Sequence, residues 1–275
     1  AHRLYKSAKL WSLYLDLEES LGTLETTRAA YDAAIELKVA TPQMLLNYAA
    51  LLEERRYFEE AFRVYERGVA IFSFPHVRDI WLAYLSKFTA RYGGKKLERA
   101  RDLYEQACAA VPVGSDDAKT FFLRYAALEE EHGLLRHAMS VYDRATRAVA
   151  PGDRYAVYLQ YLQRAEEAYG ATHTRPIFEA AIEAGLPGPQ TAQLCLKYAA
   201  MERALGEVDR ARAILVHASQ FCDPRVSNKF WEQWREFELA HGNPETFKDM
   251  MRIRHSVEAQ FSQATFVAGG DAGGG

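Results

Sequence analysis

The sequence has few of the features that secretion, membrane insertion or charge-driven binding require. Its three cysteines, Cys108, Cys195 and Cys222, are far apart, which excludes a disulfide framework or a metal knuckle and fits a reducing compartment. The net charge of −3 at pH 7 gives the whole chain no attraction to nucleic acid or an anionic membrane. No apolar run approaches the length of a membrane span, and no signal peptide is visible.

Catalytic motifs are missing as well. The stretch Gly93-Gly94-Lys95-Lys96 lacks the upstream glycine and the serine or threonine of a phosphate-binding loop. His132 and His137 are five residues apart, so they do not share a helix face for zinc, and no serine stands in a nucleophile elbow. The sequence therefore predicts no catalytic residue, cofactor, metal site or small-molecule substrate, and no enzyme.

What the sequence does contain is a ladder of large aromatic side chains at intervals of 34, 36, 41, 36, 37 and 36 residues. A period in the thirties indicates an array of supersecondary units, which usually acts as a binding surface. The ladder consists of Tyr14, Tyr48, Tyr84, Tyr125, Tyr161, Tyr198 and Trp234.

Two further rows of residues keep the same period and divide each repeat into two helices, A and B. One row lies three residues before each ladder residue, on the same face of helix A. It consists of Trp11, Leu45, Trp81, Phe122, Tyr158, Cys195 and Trp231. The other row lies on helix B and consists of Tyr31, Tyr65, Tyr104, Tyr142, Phe178, Leu215 and Met250. Because aromatic side chains bury the most apolar area, the sequence predicts a structural core of Trp11, Tyr14, Tyr31, Tyr48, Tyr65, Trp81, Tyr84, Tyr104, Phe122, Tyr125, Tyr142, Tyr161, Phe178, Tyr198, Trp231 and Trp234.

Glycine and proline mark the connections. A glycine eight or nine residues after most ladder residues predicts a left-handed cap between helices A and B, and prolines separate the repeats. The predicted fold is an all-α, right-handed α-solenoid of about seven helix pairs in one domain, residues 1–266. The repeats are predicted at residues 1–40, 41–73, 74–113, 114–151, 152–187, 188–223 and 224–266. Residues 267–275 are predicted to be a disordered glycine-rich tail, and the absence of clear capping repeats leads us to expect a piece of a longer protein.

A set of glutamates lies four residues after the ladder residue, on or beside the buried face: Glu18, Glu129, Glu202 and Glu238. A partly buried carboxylate needs a partner. Arginines three residues before the helix B row offer one: Arg28, Arg101, Arg175 and Arg212. We therefore expect ties from glutamate to arginine or to the backbone, within or between repeats.

One basic segment has two interpretations. It consists of Lys87, Arg91, Lys95, Lys96, Arg99 and Arg101, with Glu98 as its only acid. In the first interpretation Lys87, Arg91, Lys95, Lys96 and Arg99 contact RNA phosphates or an acidic partner, with affinity that falls steeply with salt. In the second, which the spread of these charges around the helix favours, the segment is a solvated turn.

The repeat resembles the HAT (half-a-TPR) motif. The pattern is W-x-x-Y-x-x-x-E-x-x-x-G followed by A-R-x-x-Y-E-x-A, as in Trp11–Glu18 and Ala100–Ala107. Longer strings, including ATPQMLLNYAALLEERRYFEEAFRVYERG and DIWLAYLSKFTARYGGKKLERARDLYEQA, resemble the SYF-type pre-mRNA-splicing factor (XPA-binding protein) family. The resemblance runs from about Leu10 to Phe266. It departs from the family pattern at Pro176, which predicts a late or short fifth helix B.

The resemblance implies a nuclear, non-catalytic scaffold of the NineTeen-associated part of the spliceosome, with a link to transcription-coupled repair. It also implies partners: a crooked-neck-type HAT protein, an Aquarius-type helicase and other subunits of that complex, with RNA nearby in the assembly and no membrane. Two alternatives stay open, because HAT repeats also occur elsewhere: a scaffold of mRNA 3′-end processing, or a direct RNA-binding module using the segment Lys87–Arg101.

Overall fold

Helices and the turns that connect them make up the described part of the chain. The computed structural model describes the backbone of residues 6–270 and the side chains of residues 6–263, and within that range there is no β-strand. The prediction of an all-α fold is confirmed. The α-helices of this range are α1 (Ala8–Leu21), α2 (Leu24–Glu36), α3 (Pro42–Glu54), α4 (Phe58–Ile71), α5 (Arg78–Tyr92), α6 (Leu97–Ala110), α7 (Asp116–Glu131), α8 (Leu135–Ala148), α9 (Pro151–Tyr169), α10 (Arg175–Glu183), α11 (Gly188–Ala204), α12 (Val208–Ser219), α13 (Asn228–His241) and α14 (Pro244–Gly270).

Odd-numbered helices occupy the A position of a repeat and even-numbered helices the B position. The chain divides into two compact units, Ala1–Leu134 with α1–α7 and Leu135–Gly275 with α8–α14. Within each unit, neighbouring helices joined by short turns pack as hairpins. The last helix ends at Gly270, so the first four residues of the predicted tail, 267–270, belong to α14. The remainder of that tail, 271–275, lies outside the described residues.

A joint is the contact between helix B of one repeat and helix A of the next, and at five joints an aromatic ring of one helix stacks on a ring of the other. In the N-terminal unit Tyr31 stacks on Tyr48, with ring centroids 4.6 Å apart and parallel planes. Four further joints repeat this geometry at 4.9–5.7 Å, with interplanar angles of 15° or less. They are Tyr65–Tyr84 and Tyr104–Tyr125 in the N-terminal unit, and Tyr142–Tyr161 and Phe178–Tyr198 in the C-terminal unit.

The ring stacks place most of the predicted core residues in the interior. Thirteen of the sixteen are buried: Tyr31, Tyr48, Tyr65, Trp81, Tyr84, Tyr104, Phe122, Tyr125, Tyr142, Phe178, Tyr198, Trp231 and Trp234. Trp11 and Tyr161 are half-buried. Tyr14 is 44% exposed, so its prediction as a core residue is wrong. Among the described residues no helix B packs on α1, and Leu15 is its buried residue instead.

Gly22 and Gly242 correct the prediction of left-handed caps. Their φ angles are −81° and −97°, an ordinary backbone region. Glycine is required there by space: a Cβ on Gly22 would lie 2.4 Å from a carboxylate oxygen of Glu18, and one on Gly242 would lie 2.3 Å from Glu238. The left-handed prediction does hold at the other turn glycines, Gly93, Gly133, Gly170 and Gly206.

The prediction for Pro176 is confirmed. Helix α10 has nine residues and begins only after a 3₁₀ turn at Ala171–Thr174, with the proline in its first turn. Proline fits there because the first helical amides have no acceptor within the helix.

All three cysteines are buried thiols that form no disulfide. Burial raises the pKa of Cys195 to about 12 and that of Cys222 to about 11, from an ordinary value of 9.0.

We expect a thiol reagent at pH 8 to label neither Cys195 nor Cys222 in the folded protein, and to label all three cysteines in denaturant. Because the folded state favours the neutral thiols, their contribution to stability is complete below about pH 9 and is lost as the pH rises toward 12. Fast labelling of the folded protein would contradict this assignment.

Candidate functional site

Three joints contain a buried ion pair. Arg101 donates from Nε and Nη2 to the Oε1 and Oε2 atoms of Glu129, at 2.8 and 3.0 Å. Arg175 makes the same fork to Glu202, at 2.7 and 2.8 Å. The third pair is Arg212–Glu238, at 2.9 Å. The three glutamates are at most 2% exposed. Three of the expected arginine ties therefore form, and they run from helix B of one repeat to helix A of the next. The fourth arginine, Arg28, pairs with Glu60 instead.

Two other joints fill the same positions with apolar residues. We use the name tie position for this pair of facing positions. One lies on helix B, three residues before the helix B row, and the other lies on the next helix A, four residues after the ladder residue. At the joint of α4 and α5 the tie position holds Phe62 and Phe88, whose rings meet edge to face at 5.3 Å. At the joint of α8 and α9 it holds Met139 and Ala165, in one hydrophobic cluster. In each of these five joints the two residues of the tie position are thus either both charged or both apolar.

The first joint is the mixed case. Arg28 occupies the arginine side of the tie position, but the facing residue of α3 is Leu52, which is buried. Arg28 turns instead to Glu60 on α4, with which it forms an ion pair, and its guanidinium lies 5.8 Å from the ring of Tyr57. The arginine is therefore satisfied at the surface.

The basic segment is largely neutralised by acids from the preceding repeat. Lys87 pairs with Glu53 at 2.7 Å and Arg99 with Glu66 at 2.7 Å. Lys96 pairs with Glu59 at 3.3 Å. Arg91 lies over the ring of Phe58 at 4.1 Å. Within the described residues Lys95 has no such partner. The arrangement favours the structural interpretation of the segment over an RNA-binding one.

The acids of these pairs were not identified as partners from the sequence. Lys87 and Glu53 are 34 residues apart, and Arg99 and Glu66 are 33 apart. Opposite charges one repeat period apart are the signal that would have found them, because stacked repeats bring such positions side by side.

The ladder tyrosines hydrogen-bond to acids on helix B. Tyr84 donates its hydroxyl to Glu66 at 3.0 Å, and Tyr198 donates to Glu179 at 3.2 Å. Burial, with the adjacent Glu179 carboxylate, raises the pKa of Tyr198 to about 12. These hydroxyls remain protonated donors at neutral pH.

Neither a metal-holding cluster nor a membrane-spanning helix is found among the described residues. No group of three or more His, Cys, Asp or Glu residues there could hold a metal ion. No described helix is both long enough and apolar enough to cross a bilayer. His132 uses Nδ1 in a 2.8 Å contact with the carbonyl of Leu128, which is a structural contact at the end of α7.

Two grooves along α11 are among the concave features of the C-terminal unit. One, of about 690 Å³, lies between α9 and α11, and its lining includes Leu162, Glu166 and Met201. The other, of about 600 Å³, lies between α11 and α13, and its lining includes Arg203 and Phe237. Lys197 and Ala200 border both grooves. Such grooves between A helices can accept a peptide segment or a helix of a partner protein.

Comparison with known proteins shows which family of repeat proteins this sequence matches. The model described as "Pre-mRNA-splicing factor Syf1/CRNKL1 C-terminal HAT repeat" matches residues 1–271. The chain is 55% identical to pre-mRNA-splicing factor SYF1 of Homo sapiens over 97% of this chain and 31% of that protein. It is 55% identical to SYF1 of Mycosarcoma maydis over 94% of this chain and 24% of that protein. It is 54% identical to the pre-mRNA-splicing factor syf1 homolog of Drosophila melanogaster, over 94% of this chain and 29% of that protein.

The chain spans about a third or less of the length of these curated relatives. Among solved structures, the TPR protein YrrB aligns with 70% of this chain and 92% of its own at 16% identity, with a TM-score of 0.35, a likeness too slight to carry an argument. The family match covers nearly the whole sequence, and the helix pairs and their joints repeat with the period of its HAT motif. The chain therefore belongs to the pre-mRNA-splicing factor Syf1/CRNKL1 C-terminal HAT repeat family.

Proposed function

We propose that this chain is a non-catalytic scaffold for protein–protein assembly in the spliceosome. The observation that carries the proposal is the 50–55% identity, over at least 94% of the chain, to proteins named as pre-mRNA-splicing factor SYF1 or its homologue. The helix-pair architecture supports it, because stacked repeats expose long surfaces to partners while burying their aromatic residues in the joints.

The proposal includes a nuclear location and specific partners. These are a crooked-neck-type HAT protein, an Aquarius-type helicase and other NineTeen-associated subunits, with a link to transcription-coupled repair. The grooves along α11 are the surfaces of the C-terminal unit that we assign to partner segments, because small side chains such as Ala200 and Ala204 leave the helix backbone accessible.

Direct RNA binding and 3′-end processing are weaker alternatives. The cations of the basic segment are paired with Glu53, Glu59 and Glu66, so little net positive charge is left to displace counterions from phosphates. The curated relatives reported above carry the names of splicing factors.

Affinity purification of the tagged chain from nuclear extract, with mass spectrometry, tests the proposal. We expect spliceosomal proteins to be enriched. The double variant Ala200→Arg, Ala204→Arg should lose part of that set, because it fills both grooves. The matched control places two arginines at exposed alanines of B helices, Ala70→Arg and Ala109→Arg, and should retain the full set. Enrichment of cleavage and polyadenylation factors alone would refute the splicing assignment.

A further inference from the structure

A glutamate of the second repeat shows how a carboxylate on helix A is held when both of its donors are present. Glu53 lies on α3, five residues after the ladder residue. It accepts a hydrogen bond from the hydroxyl of Tyr65 on α4 at 3.0 Å, and it pairs with Lys87 of α5 at 2.7 Å. One donor therefore comes from the helix B row of the same repeat, and the other comes from the next helix A.

The fifth repeat has a glutamate at the same position but neither of the two donors. Glu166 lies on α9, five residues after the ladder residue. The helix B row has Phe178 in place of the tyrosine, and the next helix A has Met201 in place of the lysine. Within the described residues the side chain of Glu166 has no hydrogen bond or ion pair. The first repeat, by contrast, retains the tyrosine, since Tyr31 donates to Glu19.

The two residues that replace the donors line a groove together with this glutamate. Phe178, Met201 and Glu166 all border the groove of about 690 Å³ between α9 and α11. Leu159 and Leu162 extend its apolar lining. Each replacement therefore removes a hydrogen-bond donor and adds apolar surface to the same groove. The result is an open apolar groove that carries a carboxylate without a partner inside the chain.

The cations nearest in sequence and in the groove do not neutralise Glu166. Arg164 pairs with Glu167 at 2.9 Å, and Arg203 lines the groove on the opposite side of α11. Lys197 borders the same groove, but it precedes its ladder residue by one position, whereas Glu166 follows its own by five. Along two A helices of the same direction, that difference of six positions is about 9 Å. The end of the groove at Glu166 thus offers an acceptor for an external cation.

We propose that the groove between α9 and α11 binds a segment of a partner protein that carries a basic residue next to an apolar one. The basic side chain pairs with Glu166, as Lys87 does with Glu53, and the apolar side chain packs on Phe178 and Met201. Charge complementarity selects a basic segment, because a neutral or acidic one would cover the carboxylate and leave it without a partner. The inference rests on the proposed function, which assigns the α11 grooves to partner segments.

The second repeat supplies a variant that closes the site from inside. Met201→Lys places a lysine at the position of Lys87 and gives Glu166 a partner within the chain, whereas Glu166→Gln removes the charge and keeps the shape. Each should weaken binding of the basic segment about tenfold or more, because the hydrogen-bonded charge pair is lost. Ser140→Lys, at an exposed serine of α8, adds the same charge outside the groove and should change nothing.

Photo-crosslinking from the rim of the groove identifies the occupant. Leu205 lines the groove and is 41% exposed, so p-benzoylphenylalanine in its place captures the bound segment in nuclear extract, and mass spectrometry gives its sequence. We expect arginine or lysine beside an apolar residue, and a crosslink yield about tenfold lower in Met201→Lys and Glu166→Gln but not in Ser140→Lys. A labelled peptide of the captured segment, measured by fluorescence anisotropy, should lose about tenfold in affinity when its basic residue is replaced by an uncharged one. In Glu166→Gln the two peptides should bind equally.

Several results would overturn the inference while the unmodified chain still enriches spliceosomal proteins. They are captured segments without a basic residue, captured RNA, no capture at Leu205, or a crosslink yield that Glu166→Gln leaves unchanged. Because Glu166 is exposed, Glu166→Gln keeps the test decisive even if Met201→Lys does not fold, which a circular-dichroism melt would show. Failure of the unmodified chain to enrich spliceosomal proteins would instead refute the proposed function, and this inference with it.

Discussion

Replacing Tyr125 by alanine is expected to cost roughly 3–5 kcal/mol of local stability. Tyr125 is completely buried in α7, and its ring stacks on Tyr104 of α6 at 5.4 Å, with the planes 15° apart. The substitution removes both the apolar burial of the ring and the stack that joins two repeats. Because each repeat is stabilised by its neighbours, the loss should be concentrated at this joint. Native-state hydrogen exchange of the amides in α6 and α7 would measure it.

A surface variant provides the comparison for this result. The variant Lys95→Ala, Lys96→Ala removes two surface contacts of Lys96: its ion pair with Glu59 at 3.3 Å and its contact with the Tyr92 ring at 3.8 Å. An exposed ion pair contributes about 0–1 kcal/mol, and an exposed cation–π contact about 0.5–1 kcal/mol. Exchange in α6 and α7 should therefore remain close to that of the unmodified chain. If the lysine variant opened the joint and Tyr125→Ala did not, the assignment of the aromatic ladder to the core would be wrong.

The repeat itself was readable from the sequence because its signal is large and periodic. One pair of aromatic residues about 36 positions apart carries little information. Seven such residues, with two further rows at the same period, predict two helices per repeat and a buried ladder. The late start and short length of α10 at Pro176 were also predictable, since proline constrains the backbone whatever surrounds it. The arginine–glutamate ties were predictable in composition, because buried carboxylates need partners.

Two features could not be predicted from the sequence of a single repeat: which helix each arginine pairs with, and whether the ladder residue of α1 is buried. Both depend on the adjacent repeats. Arg28 and Glu18 lie in the same repeat, yet Arg28 pairs with Glu60 on α4. The arginines of the three buried ties all reach forward to the next helix A. Tyr14 carries the ladder pattern, yet it is exposed, since burial of a ladder residue requires the preceding helix B. Gly22 resembles a left-handed cap in sequence, but its glycine is required by the carboxylate four residues earlier.

Removing one half of a buried tie is expected to be about as damaging as removing a core ring. In Arg175→Met the carboxylate of Glu202, which is fully buried and accepts two hydrogen bonds from Arg175, is left without its cation. Breaking a buried ion pair from one side costs about 3–5 kcal/mol, because the remaining charge has lost both its partner and water. Native-state hydrogen exchange in α10 and α11 would report the loss.

The chain also contains the compensated form of that variant. Met139 and Ala165 occupy the same two positions at the joint of α8 and α9, so the double variant Arg175→Met, Glu202→Ala replaces the ionic tie by a pair that already serves another joint. Replacing both members of a buried ion pair by apolar residues is often close to neutral, so the double variant should recover most of the stability lost in Arg175→Met. A double variant as unstable as the single one would show that the arginine stabilises this joint by more than neutralising Glu202. Recovery would show that an ionic and an apolar tie are interchangeable for the stability of this joint.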